Sequence, residues 1–172
     1  MAVATALRIE TAPAPQNLIT VAGEDTPTRL FRARCRDWKD RPALRQKRKG
    51  IWHSQTWGDY YADARAVGLA LLDTGCRRGD VIAVLAENRP EWLLADMGAQ
   101  CVGVIGTGIY PTSSPDQIEY ILSNSGARAV FVENEEQLDK TLAIRAKCPD
   151  LLSIIVMDWD GLRDFSDPQV MS

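Results

Sequence analysis

A chain of 172 residues, 45% hydrophobic and 25% charged, is long enough and apolar enough for one globular domain with a real core. Its net charge of −3 excludes a bulk pull toward nucleic acid or anionic lipid. Cys35, Cys76, Cys101 and Cys148 stand far apart beside a single histidine, His53, so no zinc-ligand spacing occurs.

The cysteines read as reduced, mostly buried thiols of a cytoplasmic protein. No apolar stretch approaches the ~18–20 residues that span a bilayer. The opening residues 1–7 are Ala-rich but lack the basic leader of a signal peptide.

In chain order, residues 1–25, with Ala-Pro-Ala-Pro and scattered Thr, Gly and Gln, read as a disordered lead-in. Thr26-Pro27 starts a helix whose Leu30, Phe31 and Cys35 face a core, and Asp40-Arg41-Pro42 stops it. Residues 43–46 and 51–56 flank Lys47-Arg48-Lys49-Gly50 as a hairpin with Gly50 at its tip. Half of the 20 Lys and Arg fall between Arg29 and Lys49. That run suits an anionic headgroup or a nucleotide phosphate, but Asp37 and Asp40 interrupt it, and a solvated helix face and hairpin is preferred.

Thr56-Trp57-Gly58-Asp59 fits a capping box. Tyr60, Ala64, Val67 and Leu71 then line one face of an amphipathic helix that ends at Gly75. Residues 81–86 form an apolar run suited to a strand buried on both faces. Asn88 is expected as N-cap of the next helix, with Glu91 completing a capping box and Pro90 in the first turn. That helix carries Trp92, Leu93 and Met97 toward Cys101, and residues 102–107 supply the second strand. Strand, helix and strand in about 27 residues make a βαβ unit with parallel strands and a right-handed crossover.

Ser114 and Gln117 repeat the capping box and open a helix through Ile118, Ile121 and Leu122 to Gly126. Residues 129–132 give a third strand and residues 135–147 a helix, acidic first and basic last, as the helix dipole favours. Residues 152–157 give a fourth strand, and residues 158–172 carry no pattern of their own. The fold class is therefore α/β, a layered and mostly parallel sheet with flanking helices.

Chemistry is sparse. Gly103, Gly106 and Gly108 lack the spacing of a dinucleotide fingerprint and read as sites of close backbone approach or a bulge. That spacing speaks against a Rossmann-type oxidoreductase. His53 beside Ser54 does not make a dyad from adjacency alone, and Cys76 and Cys101 have no neighbour that lowers a thiol pKa. Trp52, Trp57 and Trp92 read as packing residues, and no interleaving of aromatics with basic residues marks a nucleic-acid binder. Ligands of open α/β sheets bind beyond the carboxyl ends of strands. Glu87, Asn88 and Arg89 after the first strand, and Tyr110, Pro111 and Thr112 after the second, are thus the candidates for a cleft edge. For Asn88 and Thr112, helix-capping and turn roles are preferred.

The ordered series Pro42-Ala43-Leu44-Arg45, Thr56-Trp57-Gly58-Asp59, Gly79-Asp80-Val81, Glu87-Asn88-Arg89-Pro90-Glu91-Trp92 and Gly108-Ile109-Tyr110-Pro111-Thr112-Ser113 resembles the N-terminal part of an adenylate-forming, AMP-binding ligase. Ile118-Glu119-Tyr120-Ile121-Leu122 and Glu136-Gln137-Leu138-Asp139-Lys140 resemble the long-chain fatty acid–CoA ligase branch. The resemblance implies a partial AMP-binding domain over residues 26–165 and a truncated connector over 166–172. It implies a parent enzyme that uses ATP and Mg²⁺ to convert a long-chain fatty acid to an acyl-adenylate, then coenzyme A to release AMP and form acyl-CoA.

The family's Ser/Thr/Gly-rich phosphate loop ending in Pro-Lys-Gly is absent from these residues. So are its adenine and ribose motifs and its C-terminal domain with the adenylating lysine. The resemblance therefore assigns no catalytic, cofactor-binding or metal residue, and this stretch is expected to be inactive alone and to bind none of the cofactors tightly. Expected partners are the fatty acid of the parent and the remainder of the ligase polypeptide, with peripheral membrane contact left open and no nucleic acid. The alternative is a stand-alone α/β binding module without catalysis. Either way, a layer cut from a larger domain is expected to leave apolar faces and a strand edge uncovered.

Overall fold

The computed structural model describes residues 20–172, so most of the lead-in expected over residues 1–25 lies outside the described residues. Strand β3 (Val81–Leu85) is apolar throughout, and its side chains alternate between two cores as a pleated strand requires. Ile82 and Val84 enter one cluster with Leu71, Ala95 and Ala99. Ala83 and Leu85 enter the other with Ile118, Leu122 and Leu138.

Around it, β4 (Ile105–Ile109), β5 (Ala127–Val132), β6 (Ser153–Val156) and β7 (Val170–Met171) complete a sheet of order β4-β3-β5-β6-β7. Every pairing in this sheet is parallel. Helices α2 (Trp57–Asp73) and α3 (Pro90–Cys101) cover one face, and α4 (Pro115–Ser125) and α5 (Glu135–Ile144) cover the other.

Local signals work where a side chain caps a helix. Thr56 and Asp59 form a reciprocal capping box on α2, as do Ser114 and Gln117 on α4. Helix α2 ends in a Schellman pair, Gly75 N–H to the Leu72 carbonyl and Cys76 N–H to that of Leu71. The first helix, α1 (Pro27–Asp37), is capped by the Thr26 hydroxyl and buries Phe31 and Cys35 against Tyr60 and Ala64 of α2. The hairpin of β1 (Pro42–Arg48) and β2 (Ile51–Thr56) turns through Lys49 and Gly50, both at positive φ, as a two-residue turn matched to strand twist requires.

Three expectations need correcting. Strand β4 starts at Ile105 rather than at residue 102, because Val102 still caps α3 and Gly103 turns the chain at φ 79. The apolar run is therefore shared between helix end and strand. Residues 158–172 are no patternless connector: Leu162 is buried, Trp159 and Phe165 pack on the core, and β7 adds a parallel strand beside β6. The Arg145–Asp167 ion pair at 2.6 Å ties that segment to the end of α5. Trp52 is not a packing residue, being 65% exposed.

The glycines of β4 are close-approach positions rather than bulges, since its register with β3 is unbroken. A Cβ on Gly106 would come within 2.6 Å of Asp96 Oδ1. One flank of β4 is unpaired among the described residues, and Ile105 is 56% exposed there. Leu69 and Tyr120 also stand uncovered.

Helices α2 and α3 touch through Gly68 and Gly98. A Cβ at Gly98 would sit 2.7 Å from the Ala64 carbonyl oxygen and 2.8 Å from Val67 Cγ1. Gly98→Ala should therefore destabilise the chain by about 1–3 kcal/mol through overpacking, despite the ~1 kcal/mol that alanine gains in a helix. Urea unfolding followed by circular dichroism measures it. A midpoint equal to or above that of the unsubstituted chain would mean that the helices separate without cost.

Candidate functional site

The connection from β3 to β4 runs through α3 on one face, whereas that from β5 to β6 runs through α5 on the other. The sheet therefore reverses its winding between β3 and β5. In open α/β sheets the crevice beyond the carboxyl ends at such a reversal is where ligands bind. Glu87, Asn88 and Arg89 leave β3 at this point, and Glu133 and Asn134 leave β5.

Side chains of both signs fill the point of reversal. The Glu87 N–H donates to Glu133 Oε2 at 2.7 Å. Arg89, only 11% exposed, donates through Nε to Glu91 Oε2 at 2.8 Å and reaches Glu133 at 3.4 Å. Arg48 of the hairpin meets the other oxygen of Glu91 at 2.8 Å. The network thus clasps the hairpin, the start of α3 and the end of β5. Hydrogen bonding to Glu91 holds the Arg89 guanidinium above its ordinary pKa. Burial pushes the Glu91 carboxyl up, but the hydrogen bond from Arg89 and the charges of Arg89 and Arg48 outweigh it, so Glu91 titrates below its ordinary 4.5.

Asn88 is exposed and does not cap α3. Proline occupies the first helical position, so the N-cap is Arg89, one residue later, and it makes no side-chain capping bond. Glu91 falls at the second helical position and turns to Arg89 instead of completing a box. The second predicted set lies apart from the first. Tyr110 is 81% exposed, the Pro111 carbonyl accepts from Lys140 Nζ at 2.9 Å, and Thr112 stands in a turn closed by the Ser113 N–H on the Tyr110 carbonyl. Among the described residues no hydrogen bond or ion pair joins the two sets. Glu133 went unnoticed in the sequence, although its place directly after an apolar strand is the same signal that marked Glu87.

Two shallow cavities separate the hairpin from α3. One of about 350 Å³ is lined by Leu44, Arg45, Arg89 and Trp92, the other of about 280 Å³ by Gln46, Arg48, His53, Gln55 and Glu91. His53 is exposed and makes no bond to Ser54, so no dyad forms. Burial raises the thiol of Cys35 to about 11 and also lifts Cys76 and Cys101, the reverse of what a nucleophile needs.

A model of the AMP-binding enzyme family matches residues 31–170. The chain belongs to that family. Among curated members it is 34% identical over 131 residues to the long-chain-fatty-acid–CoA ligase ACSBG1 of Bos taurus, covering 76% of this chain and 18% of that protein. It is 37% identical over 114 residues to the ACSBG1 ligase of Rattus norvegicus, covering 66% of this chain and 16% of that one. The chain thus spans less than a fifth of the length of these relatives. Among solved structures, the anthranilate CoA ligase AuaEII in complex with anthranoyl-AMP is 27% identical with a TM-score of 0.69, over 76% of this chain and 24% of that one. The putative long-chain-fatty-acid CoA ligase of Rhodopseudomonas palustris shares the fold at 20% identity and a TM-score of 0.72, over 88% of this chain and 36% of that one.

The family's nucleotide does not fit the point of reversal as built here. The carboxylates of Glu91 and Glu133 occupy it, and Arg89 is already committed to both. A triphosphate there would meet like charge. Nor do the described residues gather three or more His, Cys, Asp or Glu into a metal-holding group.

The clasp carries a pH signature. Because the folded pKa of Glu91 is depressed, its stabilisation is fully present above the unfolded value and is lost as pH falls through the folded one. Glu91→Gln should lower the melting temperature at about pH 7 and reduce its further loss toward about pH 3. Thermal melts of both proteins across that range measure the difference. Equal pH slopes would remove Glu91 as a contributor.

Proposed function

We propose that this chain forms one α/β layer of a long-chain fatty acid–CoA ligase and is catalytically silent by itself. In that reading the complete polypeptide uses ATP, Mg²⁺ and coenzyme A to convert a long-chain fatty acid to its acyl-CoA through an acyl-adenylate, in the cytoplasm. The observation that carries it is the AMP-binding family match over residues 31–170, joined to relatives whose names state that activity.

Support for the silence of the isolated chain comes from charge. Adenylation needs cationic groups around a crowded anionic phosphate, whereas in the ligand crevice of this sheet Arg89 and Arg48 are already paired with the carboxylates of Glu91 and Glu133. The role left to these residues is architectural. They hold β3 and β5 in register and present the carboxyl edge of the sheet to whatever the rest of the polypeptide supplies.

The purified 172-residue chain should give ATP–pyrophosphate exchange, with a long-chain fatty acid present, no higher than a protein-free control. Exchange above that background would overturn its silence. The ligase assignment is tested by reading the coding frame past Ser172. Continuation into a Ser/Thr/Gly-rich loop with Pro-Lys-Gly, and acyl-CoA formation by the longer product, are the expected results. A stop codon there would remove the assignment and leave a non-catalytic module.

A further inference from the structure

Helix α2 lacks the polar outer face that a solvent-exposed helix carries. Its inner stripe, Tyr60, Ala64, Gly68 and Leu71, is buried. On the outside stand Tyr61, Ala62, Arg65, Ala66, Leu69 and Leu72, all exposed. Arg65 is the one charge among them. Asp63 turns instead to the hairpin, where it accepts from Gln55 Nε2 at 3.0 Å. Tyr61, Leu69 and Leu72 are 38%, 49% and 39% exposed. A helix apolar on both faces is ordinarily a buried helix, yet the described residues leave this outer face open.

The seam beside that face is cationic. Arg29, Arg32 and Arg36 of α1, with Lys39 just past its end, recur every three or four residues and line it. Asp25 pairs with Arg29 and Asp37 with Arg36, whereas Arg32, Lys39 and Arg65 have no ion-pair partner among the described residues. Two cavities, of about 590 and 440 Å³, open between α1 and α2 and share Arg29, Arg32 and Tyr61. Phe31, Ala64, Gly68 and Val102 give the second an apolar base. Glu24 is the one carboxylate lining either.

We propose that this face docks an acidic amphipathic helix of a partner protein. The apolar stripe of that helix lies along Tyr61, Leu69 and Leu72. Ala62, Ala66 and Ala70, four residues apart, form a low ridge that lets a second helix axis come close. Its carboxylates meet Arg32, Lys39 and Arg65, the cations that no described carboxylate neutralises. Helix α1, with 11 residues, is about 16 Å long, room for a partner helix of about three turns. Nucleic acid fits less well, since Tyr61 is the one exposed aromatic on this face and no second ring continues a stack. A bilayer fits less well because a flat surface does not enter a seam between two helices. The inference does not rest on the ligase chemistry. A failed exchange assay leaves it standing, and a failed peptide assay leaves the ligase reading standing.

The test is fluorescence polarisation of a dye-labelled, end-blocked helical peptide of about 14 residues, built from Leu, Ala and Glu, titrated with the purified chain. Its Leu recur every three or four residues on one face, and its Glu flank them. One control peptide has the same composition with Leu spread around the helix, and the other has every Glu replaced by Gln. Two double variants of the chain are run beside it, Arg32→Glu with Arg65→Glu, and Leu69→Gln with Leu72→Gln. All four positions are exposed, and circular dichroism checks that each variant is folded. Should the charge reversal fail to fold, Arg32→Gln with Arg65→Gln replaces it.

The expected result is saturable micromolar binding of the acidic peptide, weakened about tenfold or more in both control peptides, in high salt and in each folded variant. Absence of saturable binding refutes the proposal. Binding that survives both variants refutes it as well, by placing the contact elsewhere. Equal displacement by a single-stranded oligonucleotide at comparable concentration reassigns the seam to nucleic acid. If the coding frame continues past Ser172, the longer product is titrated too. Loss of peptide binding there sinks the partner reading, because the polypeptide then covers this face itself.

Discussion

Burial of β3 on both faces is the constraint from which the architecture follows. Ile82, Ala83 and Leu85 are fully buried, Val84 is 1% exposed, and neither side of the strand can meet water. Each large aliphatic side chain so placed contributes about 1.5–3 kcal/mol relative to exposure, and that gain exists only if helices cover both faces. The chain meets the demand by sending α3 to one side and α5 to the other, and the opposed crossovers produce the reversal of winding between β3 and β5. The crevice at the carboxyl edge is thus a geometric by-product of covering one apolar strand twice.

What fills that crevice is decided by electrostatics rather than by fold. Arg89 is nearly buried, and a guanidinium so placed needs its partners close at hand. Glu91 and Glu133 supply them, and through Glu91 the clasp extends to Arg48 on the hairpin. The same arrangement that steadies β3 against β5 leaves the crevice lined by paired carboxylates, with Arg89 already committed to them.

Much of this was legible in the sequence, and the parts that were not share a physical cause. The capping boxes at Thr56 and Ser114, the Lys49-Gly50 turn and the Gly75 helix end are local, so spacing reveals them. The α/β class and the parallel sheet follow from alternating periods. Local signals failed where two solutions differ by one residue: Asn88 looks like a better N-cap than Arg89, but Pro90 fixes the helix start and overrules it. They failed again over residues 102–107, since hydrophobicity does not say where a helix ends and a strand begins. The short β7 strand was invisible because Val170 and Met171 gain their strand character only from β6. At the candidate site, Glu87 and Arg89 were placed from strand ends alone. Their partner Glu133 lies far along the chain, and no spacing rule links it to them.

That separation bears on how the chain is made. Glu87 and Glu133 stand 46 residues apart, and they mark the carboxyl ends of two strands that lie side by side. At roughly 5–20 residues per second a ribosome takes about 2–9 s to span the interval. Throughout that time β3 has at most β4 for a neighbour, and one of its apolar faces lacks α5. Strand β3 is thus the first strand of this sheet to be synthesised, yet it must wait for β5 and α5 before both its edges and both its faces are covered.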